Sequence, residues 1–169
     1  MIHVYTGDGK GKTTSACGIA LRAAGRRKRV LFVQFLKGSD LSGEILSMKR
    51  IPYIEIKRFG RDGFVRKDKI RDADLREISQ GMKFVESRVK DRNIDVIILD
   101  EINLAMNYGL IDVKRILALI KKYRKEKEII LTGREAPASI LKKADYVTFM
   151  KSIKHPYEKG VRARRGIEY

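Results

Sequence analysis

An α/β domain on a mostly parallel sheet of about six strands is what this sequence predicts, and three observations predict it. Short apolar runs alternate along the chain with longer segments whose apolar residues recur every three or four positions. The second run, RVLFVQFL at 29–36, is apolar almost without interruption, as a strand buried on both faces of a parallel sheet must be. A glycine-rich turn, Thr6-Gly-Asp-Gly-Lys-Gly-Lys-Thr13, joins the first run to the first amphipathic segment. The 169 residues suit a single domain with a real core, spanning 1–169.

The elements follow in order. Residues 2–5 (IHVY) form the first strand. The helix after the turn carries Ala16, Ile19, Ala20 and Ala23 on one face and stops at Gly25. After the strand at 29–36 comes YIEIKRF at 53–59, which alternates in polarity and so is less central. Leu75, Ile78, Met82, Val85 and Val89 step by three and four along a long second helix. DVIIL at 95–99 and EIIL at 128–131 are short apolar strands, with a third helix on Val113, Ile116, Leu117 and Ile120 between them. YVTFM at 146–150 supplies the sixth strand. Segments 39–42 and 60–63 are expected to be the mobile loops.

Strand, glycine-rich turn, Lys-Thr and helix together make a phosphate-binding loop, in which backbone N–H groups and the helix N-terminus face a polyphosphate. The expected fold is therefore a three-layer P-loop NTPase domain of RecA-like order, and the expected ligand a nucleoside triphosphate. The usual spacing puts glycine at position 6, where this chain has Thr6. Gly7, Gly9 and Gly11 still give the loop residues that reach positive φ without penalty. Lys12 is expected to place its ammonium on the phosphates and Thr13 to ligate Mg²⁺, with Asp8 and Thr14 completing the loop. Lys10 either touches phosphate or is solvated.

Ligands of such sheets collect at the carboxyl ends of the strands. The run at 96–99 delivers Asp100 and Glu101 there, either to hold the metal or to cap the following helix. Glu101 is also suited to a ribose contact or to general-base work. Leu131-Thr-Gly-Arg134 ends the next strand, where Arg134 stabilises triphosphate charge or sits in a plain turn. Gln34-Phe-Leu-Lys-Gly38 ends the second strand and is placed to line the pocket.

Composition excludes several classes. Cys17 is the single cysteine, so the chain forms no internal disulfide, and a reducing compartment is expected, the cytoplasm. No segment has the roughly 18 to 20 apolar residues of a membrane span. The net charge of +17 can mark nucleic-acid binding, but no base-reading motif accompanies it and aromatics do not interleave with the basic runs. Nucleic acid is not an expected partner.

Read together, these blocks resemble the ATP:corrinoid adenosyltransferase family. The blocks are TGDGKGKTTSACGIALRAAG, VQFLKG followed by Gly43-Glu44, ILDE at 98–101, LTGR at 131–134, and the tail KHPYEKGVRARRGIEY. The resemblance implies that a corrinoid reduced to Co(I) attacks the 5′ carbon of ATP and expels tripolyphosphate, in cobalamin synthesis or salvage. It assigns catalytic roles to Lys12, Glu101 and Arg134, the metal to Thr13, Asp100 and Glu101, and adds Phe64 and His155 to the binding residues of the loop. It also implies Mg²⁺, a homodimer, a reductant protein such as a flavodoxin, and a nucleotide bound in reversed direction along the loop. Where family members place Gly-Phe-x-Trp, this chain has Gly63-Phe64-Val65-Arg66, without the Trp that helps displace the corrinoid's lower ligand. The alternatives are a nucleic-acid-associated P-loop NTPase and a non-catalytic nucleotide-binding module.

Overall fold

The computed structural model describes residues 1–38, 42–61, 63 and 65–168. Six parallel strands form one sheet: β1 (Ile2–Thr6), β2 (Val30–Phe35), β3 (Ile54–Phe59), β4 (Val96–Asp100), β5 (Glu128–Thr132) and β6 (Tyr146–Phe149), in the order β3-β2-β4-β5-β1-β6. The expected parallel sheet of about six strands is borne out. β3, the strand of alternating polarity, lies at one edge, and the apolar β2 lies inside with all six residues buried.

Side chains alternate across the sheet and seed two cores. Tyr5, Val30, Phe32, Val96, Ile98 and Ile130 face α1 (Lys12–Gly25) and α2 (Gly43–Met48) through Ala16, Ala20, Ile45 and Met48. Val4, Leu31, Val33, Ile97, Leu99, Ile129 and Leu131 face the other way. They meet α3 (Asp72–Arg88), α4 (Ile102–Asn107), α5 (Val113–Tyr123) and α6 (Ala138–Leu141). The result is three layers. Three helices were read from periodicity; α2, α4 and α6 are added, each of six residues or fewer and too short to show a repeat. Segments 39–41, part of the expected mobile loop, lie outside the described residues.

Two features of the sheet position the site. Its register sets Gln34 beside Asp100 and Leu99 beside Leu131, which aligns the ends of β2, β4 and β5. And β1, first in sequence, is flanked by β5 and β6, the last two strands. The chain leaving β6 then crosses the loop that follows β1. Met150 N–H donates to Thr6 O at 2.8 Å, and Gly9 N–H donates to Met150 O at 2.7 Å.

Candidate active site

The phosphate-binding loop takes its shape from that crossing strap. A Cβ on Gly7 would run into the carbonyl oxygen of Met150, and one on Gly9 would sit 2.8 Å from both Met150 O and the Lys151 carbonyl carbon. Gly7 (φ 100°) and Gly11 (φ 112°) are also left-handed, and Gly11 opens directly into α1. Ser152 N–H donates to Asp8 Oδ1 at 3.2 Å, and this bond, with a second from the loop's own backbone, holds the Asp8 carboxyl below its ordinary pKa. Asp8 thus anchors the strap. Thr6, where glycine was expected, is buried, and its hydroxyl accepts from Ala136 N–H at 3.1 Å, tying the loop to the segment after β5.

At the start of α1, Lys12 is buried and its Nζ donates to Gly9 O at 2.6 Å. Burial lowers the Lys12 pKa, Glu101 opposes this, and Arg134 reinforces it. Thr13 Oγ1 donates to Asp100 Oδ1 at 2.9 Å, so loop and β4 meet as the phosphate-loop reading requires. Thr14 is exposed on the outer side of the helix. Lys10 is exposed too, and its Nζ donates to Glu168 Oε1 at 3.2 Å and to Ile167 O at 3.4 Å, in the C-terminal tail.

Asp100 is fully buried and accepts four donors: Thr13 and Thr132 (2.5 Å) on Oδ1, Gln34 Nε2 (3.0 Å) and Lys37 Nζ (2.7 Å) on Oδ2. Burial raises its pKa, but the Lys37 ammonium and the hydrogen bonds outweigh this and hold it ionised below the ordinary value. Burial likewise opposes the charge on Lys37, while Asp100 and Glu101 raise its pKa overall. Glu101 stands next in the chain in a left-handed conformation (φ 62°), uncommon for a residue with a side chain, and its N–H donates to Thr132 Oγ1 at 3.1 Å. Burial and the Asp100 charge raise its pKa. Neither carboxylate caps α4: Asp100 ends the strand, and the Glu101 side chain makes no cap bond. The helix-cap alternative does not hold.

Arg134 follows Gly133, whose positive φ (127°) and lack of a Cβ let β5's end pack against the Leu104 amide. The arginine is exposed at the rim and lines a cavity of about 640 Å³ together with Lys37, Glu101, Leu104, Tyr108, Val65 and Glu168. Charged groups from several elements, among them Glu44 and Arg58, line the cavity beside the apolar Leu36, Val65, Leu104 and Tyr108. Glu168, from the tail, reaches into it; a hydrogen bond from Arg164 sets the Glu168 pKa to about 2.

The expected residues divide accordingly. The structure gathers the loop, Lys12, Thr13, Asp100, Glu101 and Arg134 at one end of the sheet. His155 is not among the residues lining the cavity; its Nδ1 accepts from Tyr157 N–H at 3.2 Å and starts a 3₁₀ turn at Pro156–Lys159. Phe64 lies outside the described residues. Arg66, where the resemblance leads one to expect Trp, is not among the residues lining the cavity and pairs with Asp68 at 3.1 Å. Lys37, Gln34 and Thr132 hold the buried carboxylate; the segment 34–38 was expected to line the pocket, but its tie to Asp100 was not. The signal for Gln34 and Thr132 was a polar side chain near the end of an otherwise apolar strand. Cys17 is buried in α1, with its thiol pushed up to about 12 by burial and by Asp100, which makes it an inert packing residue.

Comparison with known proteins agrees with this geometry. The family model described as ATP:corrinoid adenosyltransferase BtuR/CobO/CobP matches residues 1–169. The corrinoid adenosyltransferase of Pseudomonas aeruginosa is 32% identical over 169 residues, covering 100% of this chain and 83% of its own. The one from Escherichia coli K12 is 31% identical over 171 residues, covering 100% and 85%, and the corrinoid adenosyltransferase CobA of Salmonella typhimurium is 32% identical with the same coverage. Among solved structures, the flagellar accessory protein FlaH from Methanocaldococcus jannaschii superposes with a TM-score of 0.56 at 17% identity, covering 88% of this chain and 69% of that one. The cytoplasmic domain of EssC gives 0.54 at 14%, covering 96% and 33%. These two share the fold alone. A whole-length match, joined to a phosphate-binding loop tied to an acidic strand end, settles the membership: this chain belongs to the ATP:corrinoid adenosyltransferase family.

Proposed function

We propose that this chain transfers the 5′-deoxyadenosyl group of ATP to the Co(I) centre of a corrinoid and releases tripolyphosphate. The observation that carries the reading is the joining of Thr13, on the phosphate-binding loop, to the buried Asp100, whose chain neighbour Glu101 and ion-pair partner Lys37 line a 640 Å³ cavity with Arg134. The cavity offers Lys37 and Arg134 to a polyanion and Val65, Leu104 and Tyr108 to an organic ring. In the reaction the cobalt electron pair forms a bond to C5′, the C5′–O bond breaks, and the electrons leave on the triphosphate, so no proton need move and no side-chain nucleophile is required.

The chain's task is to orient C5′ and to stabilise charge on the leaving group. Lys12 and Arg134 are the cations placed for it, with the N–H groups at the start of α1. Thr13 Oγ1, Asp100 and Glu101 form the hard oxygen set that suits Mg²⁺. Gln34 Oε1, buried and without a partner among the described residues, offers an acceptor beside them. The residues fit the ion, which when bound would supply positive charge against the leaving triphosphate. Phe64 and His155 are carried in the binding set by family likeness. The same reading includes a reductant protein such as a flavodoxin, a cytoplasmic setting and a homodimer. The exposed apolar edge of Tyr146, Val147 and Phe149 supports the homodimer.

The test is single turnover with ATP and chemically reduced corrinoid, with both products identified. An adenosylated corrinoid and tripolyphosphate in equal amounts are expected, and Lys12→Ala should slow the step by about 10²–10³-fold. Release of ADP and phosphate without corrinoid adenosylation overturns the reading.

A further inference from the structure

Asp100 has no room for a newcomer. An ionised carboxylate offers about four acceptor positions, and Thr13, Thr132, Gln34 and Lys37 fill two on each oxygen. A metal that binds Asp100 therefore has to replace one of these donors. Thr132 ends β5 and also accepts the Glu101 N–H, so it is fixed from both sides. Gln34 lies within β2, fully buried and in register with Asp100. Thr13 is itself a metal-binding candidate. Lys37 differs from all three. It lies beyond the end of β2 on a flexible four-carbon stem, its side chain is 30% exposed, and it lines the cavity. Its Nζ donates to Thr13 Oγ1 at 3.1 Å and to Asp100 Oδ2 at 2.7 Å, so the ammonium sits between the two groups that suit the metal.

We infer that Lys37 is a built-in counter-ion sharing the metal's seat: its ammonium and a divalent cation compete for Thr13 Oγ1 and Asp100 Oδ2, and metal entry turns Lys37 into the cavity. This rests on the reading of Thr13 and Asp100 as metal ligands. The lysine keeps the buried carboxylate paired, because a lone charge there would be strongly destabilising. Once displaced, the ammonium faces the cavity and adds a positive charge where the triphosphate is to lie. Lys12 does not share the metal's seat, since its Nζ donates to Gly9 O within the loop. Metal entry and phosphate neutralisation then become one coupled event.

The test titrates the nucleotide-free protein with Mn²⁺, followed by electron paramagnetic resonance and by melting temperature. Lys37→Met should bind Mn²⁺ at least about tenfold more tightly than the parent chain. Added Mn²⁺ should also raise its melting temperature by more than the parent's. If Lys37→Met is too unstable to titrate, Lys37→Arg serves instead. Its guanidinium grips the carboxylate more firmly, so Mn²⁺ affinity should fall below the parent's. Equal Mn²⁺ affinity in parent and variants overturns the competition while leaving the metal reading standing. If the parent and variants all fail to take up Mn²⁺ even with ATP present, the metal reading itself fails and the competition with it.

Discussion

Glu101 is where the site stores unfavourable electrostatics. It is held in a left-handed conformation beside an ionised, fully buried aspartate, and its pKa is raised by burial and by that neighbour. The sign of the consequence is fixed. A carboxyl whose folded pKa exceeds its unfolded one supports folding below the ordinary value and loses that support as pH rises through the folded value. Glu101→Gln should therefore melt at a higher temperature than the parent at neutral pH, with the difference closing as pH falls below about 4.5. Adenosyl transfer should drop at least about 10²-fold in the same variant. A gain over the parent no larger at neutral pH than in acid would remove the electrostatic account. Thr6 shows the limit of reading single positions. It looked like a departure from the loop's spacing, and only the fold reveals the Ala136 N–H that its hydroxyl receives.

Among the elements, the strap after β6 is the least legible and the most constraining. Glycines at 7 and 9 could be read as freedom for the loop, whereas much of their necessity is space for the backbone of Met150 and Lys151. Gly9→Ala should destabilise the fold by about 1–3 kcal/mol, measured by urea unfolding, because backbone rather than a yielding side chain opposes the new Cβ. An unchanged midpoint would mean the strap lifts away freely. The buried strands were legible because apolar runs identify them directly. α2, α4 and α6 were not, since one or two turns carry no period. The tie between Lys37 and Asp100 was out of reach for a related reason. It spans 63 positions and exists only through the β2–β4 register.

For the whole molecule, the excess of positive charge belongs largely to the outside of an ordinary α/β domain. Pairs such as Arg88 with Glu55 and Arg115 with Glu86 cancel, and the excess lies in exposed groups such as Lys151, Lys154, Arg162 and Arg165. Family membership favours adenosyl transfer over the nucleic-acid alternative. No helix among the described residues is long and apolar enough to cross a membrane.

The sheet order also sets a clock on synthesis. β1 emerges first from a ribosome, yet both of its neighbours, β5 and β6, emerge last, and its loop is closed by Met150. Until residue 128 or so is free, the first strand has nothing to pair with, and long-range pairing of this kind is slow to form. Stalled nascent chains exposing residues 1–127 should fail to retain ATP, while chains exposing 1–168 should hold it; equal retention would show that the loop matures without its neighbours. The earliest-made part of the candidate nucleotide site is thus the last to gain its neighbours.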